Sequence, residues 1–147
     1  MIQLIRTASS TPLSQFRLNI YDKATSVDYK PLITFISQLT GKSKTFVSTL
    51  NVTTNKDRYI ELGCIVTYQD SETLTAGIIY LGNTDFPLGF YDVTIYQNSS
   101  NINLDPSGLT TIYTGLMNLT STTGTEAVKY SEYTTNDSDT ESVYITI

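Results

Sequence analysis

Polar and apolar residues alternate along most of this 147-residue chain, and such alternation is typical of β-strands with one buried face. The longest alternating run spans residues 58–69. On one face it carries Ile60, Leu62, Cys64, Val66 and Tyr68. We expect this run to form a central strand of a sheet.

Shorter runs with the same pattern recur between segments rich in turn-forming residues. They predict strands near residues 2–5, 16–20, 32–39, 42–50, 74–80, 90–97, 109–119, 127–133 and 143–147. The runs at 32–39 and 42–50 flank Thr40-Gly41, which predicts a β-hairpin. In the run at 90–97, Tyr91, Val93 and Ile95 share one face, and in the run at 109–119 Gly115 predicts a bulge.

No stretch of ten or more residues has helical periodicity, so the chain is predicted to be all-β. About nine or ten short strands in one chain of this length indicate an antiparallel β-sandwich or a β-barrel. We expect a single domain over residues 1–147. Residues 1–13 are consistent either with a strand of this domain or with an arm that reaches a neighbour.

Composition argues against catalysis. The chain has no His and one Cys, which excludes a Ser-His-Asp triad, a Cys-His pair, imidazole metal ligands and an intramolecular disulfide. Cys64 lies in an apolar run, where a buried and inert thiol is expected. We therefore predict no enzyme activity, no metal and no cofactor.

Other candidate sites are weak. Asp70 and Glu72 flank a turn, and turn carboxylates are common. The acidic stretch at 136–141 lacks the Gly and the distant Glu of a calcium loop, so a solvated turn is expected. Asn-x-Ser/Thr triplets begin at Asn51, Asn98, Asn118 and Asn136, and we interpret them as accidental in a chain rich in Ser and Thr.

The sequence does not indicate a membrane protein. No segment approaches 18 consecutive apolar residues, and residues 1–10 have no apolar core of a signal peptide. The unpaired Cys64 favours folding in a reducing cytoplasm.

Charge is unevenly distributed. Residues 1–60 hold eight basic and three acidic side chains, whereas residues 61–147 hold one basic and eleven acidic side chains. Either strands of the two halves interleave and the asymmetry disappears in space, or the domain presents a basic face and an acidic face to charged neighbours. A nucleic-acid partner is not expected, because the net charge is −5 and the basic residues are not clustered.

Tyrosine is abundant, with 11 residues, and most fall within predicted strands. Tyr suits protein–protein contacts, because it offers a large area and one polar group. A sugar-stacking surface is the alternative. The residues predicted for an interface are Lys42, Lys44, Arg58, Tyr91, Tyr96, Tyr113, Asp137, Asp139 and Glu141.

Two stretches carry a resemblance to known proteins. They read LTGKSKTF at residues 39–46 and GFYDVTIYQNSSNINLDPSGLTTIYTGLMNL at residues 89–119. In these stretches the chain resembles small all-β virion proteins of tailed bacteriophages of the crAss-like and marine podophage groups. Similar segments cover most of residues 16–119, whereas the Thr- and acid-rich region after them resembles nothing recognised.

The resemblance implies an immunoglobulin-like sandwich that serves as an auxiliary capsid, or decoration, subunit or as a fibre-anchoring subunit. It implies a non-enzymatic virion protein whose partners are the major capsid protein, fibre or tail proteins, and itself. Such a protein would fold in the host cytoplasm and end in the virion. We expect contacts through strand edges and Tyr- and Thr-rich surfaces. The alternatives are a tail- or connector-associated virion protein and a carbohydrate-binding or adhesin-like module on a fibre.

Overall fold

The computed structural model describes residues 1–7, 13–18, 30–50, 60–67 and 69–122. Within these residues the chain forms eight β-strands and one short 3-10 helix. The strands are β1 (Ile2–Arg6), β2 (Leu13–Leu18), β3 (Leu32–Ser37), β4 (Ser43–Val47), β5 (Ile60–Thr67), β6 (Ile78–Tyr80), β7 (Gly89–Tyr96) and β8 (Thr111–Ser121). The 3-10 helix spans Leu74–Ala76. The all-β prediction is confirmed.

The strands form two sheets. A five-stranded sheet has the order β1-β8-β7-β3-β4, and a three-stranded sheet has the order β2-β5-β6. Four neighbouring pairs are antiparallel. The pairs β1–β8 and β5–β6 are parallel, so the antiparallel prediction is wrong for these two pairs. The pairing with β8 makes β1 a strand of the sheet rather than an arm.

The hydrophobic core takes one face of each sheet. Its fully buried residues include Ile33, Phe35, Phe46, Leu62, Cys64, Ile79, Leu81, Tyr91, Ile95, Ile112 and Met117. Three aromatic rings pack at its centre. The Phe35 ring meets the ring of Phe46 at 5.0 Å and that of Tyr91 at 6.4 Å, both edge to face. This geometry is the favourable one for aromatic pairs.

The clearest alternating runs form the predicted strands. Leu62, Cys64 and Val66 of β5 are buried, as are Tyr91, Val93 and Ile95 of β7. The hairpin is also confirmed, since β3 pairs with β4 from Leu32–Val47 to Ile36–Ser43. The connection between the two strands spans residues 38–42 and is therefore longer than the predicted two-residue turn Thr40-Gly41.

The structure corrects the predicted strand at 74–80. The alternation of Leu74, Ala76, Ile78 and Tyr80 predicts one strand with these four residues on one face, but a 3-10 helix occupies its first half. Gly77 then adopts a left-handed conformation, with φ at +73°. This turn shifts the alternation by one residue, so that Ile79 is buried instead of its neighbours.

The predicted bulge also lies elsewhere. Gly115 keeps a regular register opposite Val93, and the irregularity falls between Ile95 and Tyr96, opposite Ile112. The absent Gly115 side chain instead leaves room for the Tyr113 ring, whose hydroxyl would collide with a Cβ at this position. The predicted strands at 127–133 and 143–147 lie outside the described residues.

Candidate interaction surface

The outer face of the five-stranded sheet is the candidate site. Because side chains alternate along a strand, the residues between the core positions point away from the core. We define the outer face by these residues: Gln3, Ile5, Thr34, Ile36, Ser43, Thr45, Phe90, Asp92, Thr94, Tyr96, Thr114, Leu116, Asn118 and Thr120. Asp92 is the single charged side chain among them. Leu32 and Val47 follow the same alternation, but both are 0% exposed, so their corner of the sheet is covered and is not part of this face.

Large apolar side chains on this face are open to solvent. Phe90 and Ile5 are each 50% exposed, Leu116 is 42% exposed and Ile36 is 36% exposed. Strand register brings three of them together, because Leu116 and Ile36 both lie opposite Asp92 on β7, from its two sides, whereas Ile5 lies opposite Thr120 at the far end of β8. Phe90 is the next outward residue of β7. Contiguous exposed apolar residues of this kind mark interaction surfaces.

Threonines form a row across the same face. Register aligns Thr114, Thr94, Thr34 and Thr45 on β8, β7, β3 and β4, which are neighbouring strands. The hydroxyls of Thr34 and Thr45 are hydrogen-bonded at 2.9 Å. This row is uncharged, and each hydroxyl can both donate and accept a hydrogen bond.

Lys42 and Lys44, both predicted interface residues, are engaged within the domain. Lys42 forms an exposed ion pair with Asp85 at 3.3 Å. The Lys44 ammonium bonds the Glu72 carboxylate at 2.7 Å and the Tyr80 carbonyl at 2.8 Å. Its side chain is only 9% exposed.

Ion pairs within the domain neutralise part of the charge asymmetry of the sequence. In addition to the two lysine pairs, Arg17 bonds Glu61 at 2.8 Å. Each of these three ion pairs joins a basic residue of the first 60 positions to an acidic residue of the rest. Interleaving of the two halves therefore neutralises these charges, as the first of the two interpretations requires.

The three predicted interface tyrosines differ in position. Tyr91 is 0% exposed, so its prediction as an interface residue is wrong. Its ring lies in the core, its hydroxyl donates to the Pro87 carbonyl at 2.5 Å, and burial raises its pKa. Tyr113 is half-buried and packs against the core. Tyr96 is half-buried at one end of the outer face.

The remaining predicted interface residues, Arg58, Asp137, Asp139 and Glu141, lie outside the described residues. The sequence reasoning missed Phe90, Leu116, Ile36 and Ile5. A signal for them was present. If Tyr91, Val93 and Ile95 face the core, then Phe90 must point outward as an unexplained exposed aromatic residue.

The described edge of β4 is flanked by other chain segments. The Thr49 amide donates to the Gly63 carbonyl at 2.8 Å, immediately after β4 ends. The 3-10 helix packs against β4, and a Cβ on Gly77 would lie 2.8 Å from the Val47 carbonyl oxygen. These segments leave little room for a partner strand to pair with the edge of β4, whereas the outer face is open to a partner.

Cys64 and Glu72 are both held within the fold. Burial raises the pKa of the Cys64 thiol to about 12, which leaves it protonated and unreactive at neutral pH. Glu72 is occupied by Lys44 and by the Tyr80 amide, which donates to it at 3.1 Å. No group of three or more metal-ligating side chains lies together in the part of the chain that the structure describes.

The Asn-x-Ser triplet at Asn98 lies in a described part of the chain. Asn98, in one of the Asn-x-Ser triplets, is 3% exposed, and its amide donates to the Ser100 carbonyl at 2.8 Å. Such a side chain is inaccessible to a glycosylating enzyme in the folded protein.

Among the described residues, no helix is long and apolar enough to cross a membrane.

Comparison with known proteins gave no relative. No family model, no curated protein and no solved structure matches the chain.

Proposed function

We propose that this protein is a non-enzymatic structural subunit that docks onto a neighbouring protein through the outer face of its five-stranded sheet. The observation that carries the proposal is the composition of that face, where solvent-exposed Phe90, Ile5 and Leu116 lie among uncharged polar residues and a single carboxylate. Depletion of charge combined with an aromatic residue is typical of the centre of protein interfaces.

We infer further that the particle it joins is the virion of a tailed bacteriophage, as an auxiliary capsid or fibre-anchoring subunit. The support is the resemblance of residues 39–46 and 89–119 to phage virion proteins. These two stretches form β7, most of β8 and the β3–β4 turn, so they build much of the outer face. A tail or connector position would use the same surface.

We also propose that the domain is an immunoglobulin-like sandwich. In that fold one sheet places three strands in the order that β3, β7 and β8 show, and the strand preceding this group pairs with a later strand in the second sheet, as β2 does with β5. A tyrosine near the start of the penultimate strand bonds back to the backbone in this fold, as Tyr91 bonds Pro87.

Mass spectrometry of purified phage particles tests the virion assignment. We expect peptides of this chain in particles that have been washed and banded in a density gradient, at a fixed ratio to the major capsid protein. The control is the culture supernatant after removal of particles. Absence of the chain from banded particles would contradict the virion assignment, and retention of the purified protein on polysaccharide resin would favour an adhesin-like module.

A further inference from the structure

We infer that the occupant of the outer face is a second copy of this chain, which pairs face to face about a two-fold axis. This inference rests on the proposed function, since it names the partner of the same surface. Three properties of the face support it: its charge, its hydrogen-bonding groups and its area.

The near absence of charge on the outer face disfavours a strongly charged partner. Asp92 is the one charged side chain of the outer face, and its carboxylate already accepts a hydrogen bond from the Gln38 amide at 2.9 Å. A strongly basic or acidic neighbour would find almost nothing to pair with there. The ion pairs of Lys44 and Arg17 lie off this face, since Lys44 extends toward the second sheet and Arg17 is on β2.

Its polar groups are self-complementary. In a two-fold interface each group meets a copy of the surface that bears it. A lysine or a carboxylate cannot pair with its own kind, but amides and hydroxyls can, because each has both a donor and an acceptor. Apart from Asp92, the polar side chains of the face are of this type, among them Gln3, Asn118, Thr94 and Thr114.

The area is that of a small dimer interface. Between Thr114 and Leu116 the strands β8, β7, β3 and β4 lie side by side, and between Asn118 and Thr120 the strands β1, β8 and β7 do, so at about 4.8 Å spacing the face is about 19 Å wide at one end and about 14 Å wide at the other. Along about 20 Å of β8, two such faces would together remove on the order of 700 Å² from water, which is the size of a weak association. Sheets with apolar inner faces pack in this manner at about 10 Å separation.

Sedimentation velocity over a concentration series of the full-length protein tests the inference. We expect a monomer–dimer equilibrium. Phe90→Lys should raise the dimer Kd at least about tenfold, because an ammonium would be buried at the centre of the interface. Leu116→Lys, at 42% exposure, should act in the same direction and provides an independent variant.

Two further variants sharpen the test. Ile102→Lys is the matched control, because Ile102 is 81% exposed in the loop between β7 and β8 and outside the outer face. Its dimer Kd should stay within about twofold of the wild type. Asp92→Asn should lower the dimer Kd at least about threefold, because the pairing of two copies brings two buried carboxylates into one interface.

The outcomes separate this inference from the proposed function. A wild-type protein that stays monomeric up to about 200 µM, while Phe90→Lys abolishes its binding to particles, would overturn the second copy as occupant and keep the face as a docking site. A monomeric wild type whose particle binding is unaffected by Phe90→Lys would overturn both. A dimer that Phe90→Lys and Leu116→Lys leave intact would also overturn the inference. Circular dichroism of each variant confirms that it is folded.

Discussion

Lys42 and Lys44 are neighbours in sequence with different surroundings. The Lys44 ammonium is nearly enclosed, with a carboxylate, a carbonyl and the face of the Phe86 ring, 4.4 Å from the ring centroid, around it. Lys42 pairs with Asp85 in open solvent, where both side chains are more than half exposed. Burial decides how much each pair contributes to stability, because solvent screens the exposed one.

We expect Lys44→Met to lower the free energy of unfolding by about 1–3 kcal/mol, because Glu72 and the Tyr80 carbonyl would lose their partner. Lys42→Met is the matched control and should change it by less than about 0.5 kcal/mol. Urea unfolding of the two variants measures the difference. Equal effects would show that Lys44 is not held as the structure describes.

Cys64 predicts a pH dependence of stability. An ordinary thiol has a pKa near 9.0, whereas burial raises that of Cys64 to about 12. Between these values the unfolded chain has lost a proton that the folded chain retains, so the free energy of unfolding falls as the pH rises. The slope from this group is at most about 1.4 kcal/mol per pH unit. Tyr91, with its raised pKa, adds to the fall in the same direction above about pH 10.

Cys64→Ala should therefore show a shallower loss of stability between about pH 9 and pH 11 than the wild type. Urea unfolding at a series of pH values measures the two profiles. The cavity left by the missing sulfur lowers stability at every pH, so the slope and not the offset is the readout. Parallel profiles would contradict the burial of the thiol.

At the scale of residues, the alternation pattern predicted burial better than the residue type did. The suitability of Tyr for protein contacts predicts an interface position for Tyr91, although Tyr91 shares a face with Val93 and Ile95, which predicts the core. The reverse holds for Phe90, whose outward position follows from the same pattern. The partners of Lys44 were not predictable, because Glu72 and Tyr80 approach it only through the tertiary fold.

At the scale of elements, Gly77 connects the two sheets. Its left-handed conformation ends the 3-10 helix and starts β6, and its missing side chain lets the backbone approach β4. A Cβ here would lie 2.8 Å from the Thr49 amide nitrogen and also collide with the Thr49 hydroxyl. Conformation and space therefore both require glycine at this position.

Gly77→Ala should destabilise the protein by at least about 2 kcal/mol more than Gly108→Ala does. Gly108 is the matched control, since its φ is +76° but nothing lies within 4 Å of a Cβ there. Gly108→Ala should therefore lower the free energy of unfolding only through backbone strain, by about 1–2 kcal/mol. Thermal or urea unfolding of both variants measures the difference, and equal losses would argue against close packing of Gly77 on β4.

Local pattern predicted most strands but not their arrangement. The hairpin of β3 and β4 follows from adjacent alternating runs around a glycine-containing turn. The pairing of β1 with β8 joins distant parts of the chain, and no local signal specifies its partner or its parallel direction. Periodicity predicts the wrong buried face for β6, because a single left-handed glycine shifts the alternation by one residue and periodicity does not detect this shift.

At the scale of the whole molecule, net charge is a poor guide to docking. Each of the three ion pairs joins a base of the first 60 residues to an acid of the remaining chain. The outer face has one carboxylate. The sequence alone does not determine these pairs, because which acid meets which base depends on how the sheets are assembled.

Docking through the outer face should accordingly resist salt. We expect the dimer Kd to rise less than about threefold between 0.05 and 1 M NaCl, because screening has little charge to act on at this surface. Sedimentation velocity at the two salt concentrations measures it. Dissociation in 1 M NaCl would show instead that charged residues outside the outer face drive the association.

The parallel pairing of β1 with β8 also bears on how the chain folds during synthesis. Ile2 must pair with Met117, so β1 is synthesised well before the strand beside which it is placed. At a ribosomal rate of about 5–20 residues per second, β1 waits on the order of 10 s for its neighbour to emerge. Throughout that interval Ile2 and Leu4, both buried in the finished domain, are available to chaperones and to other nascent chains.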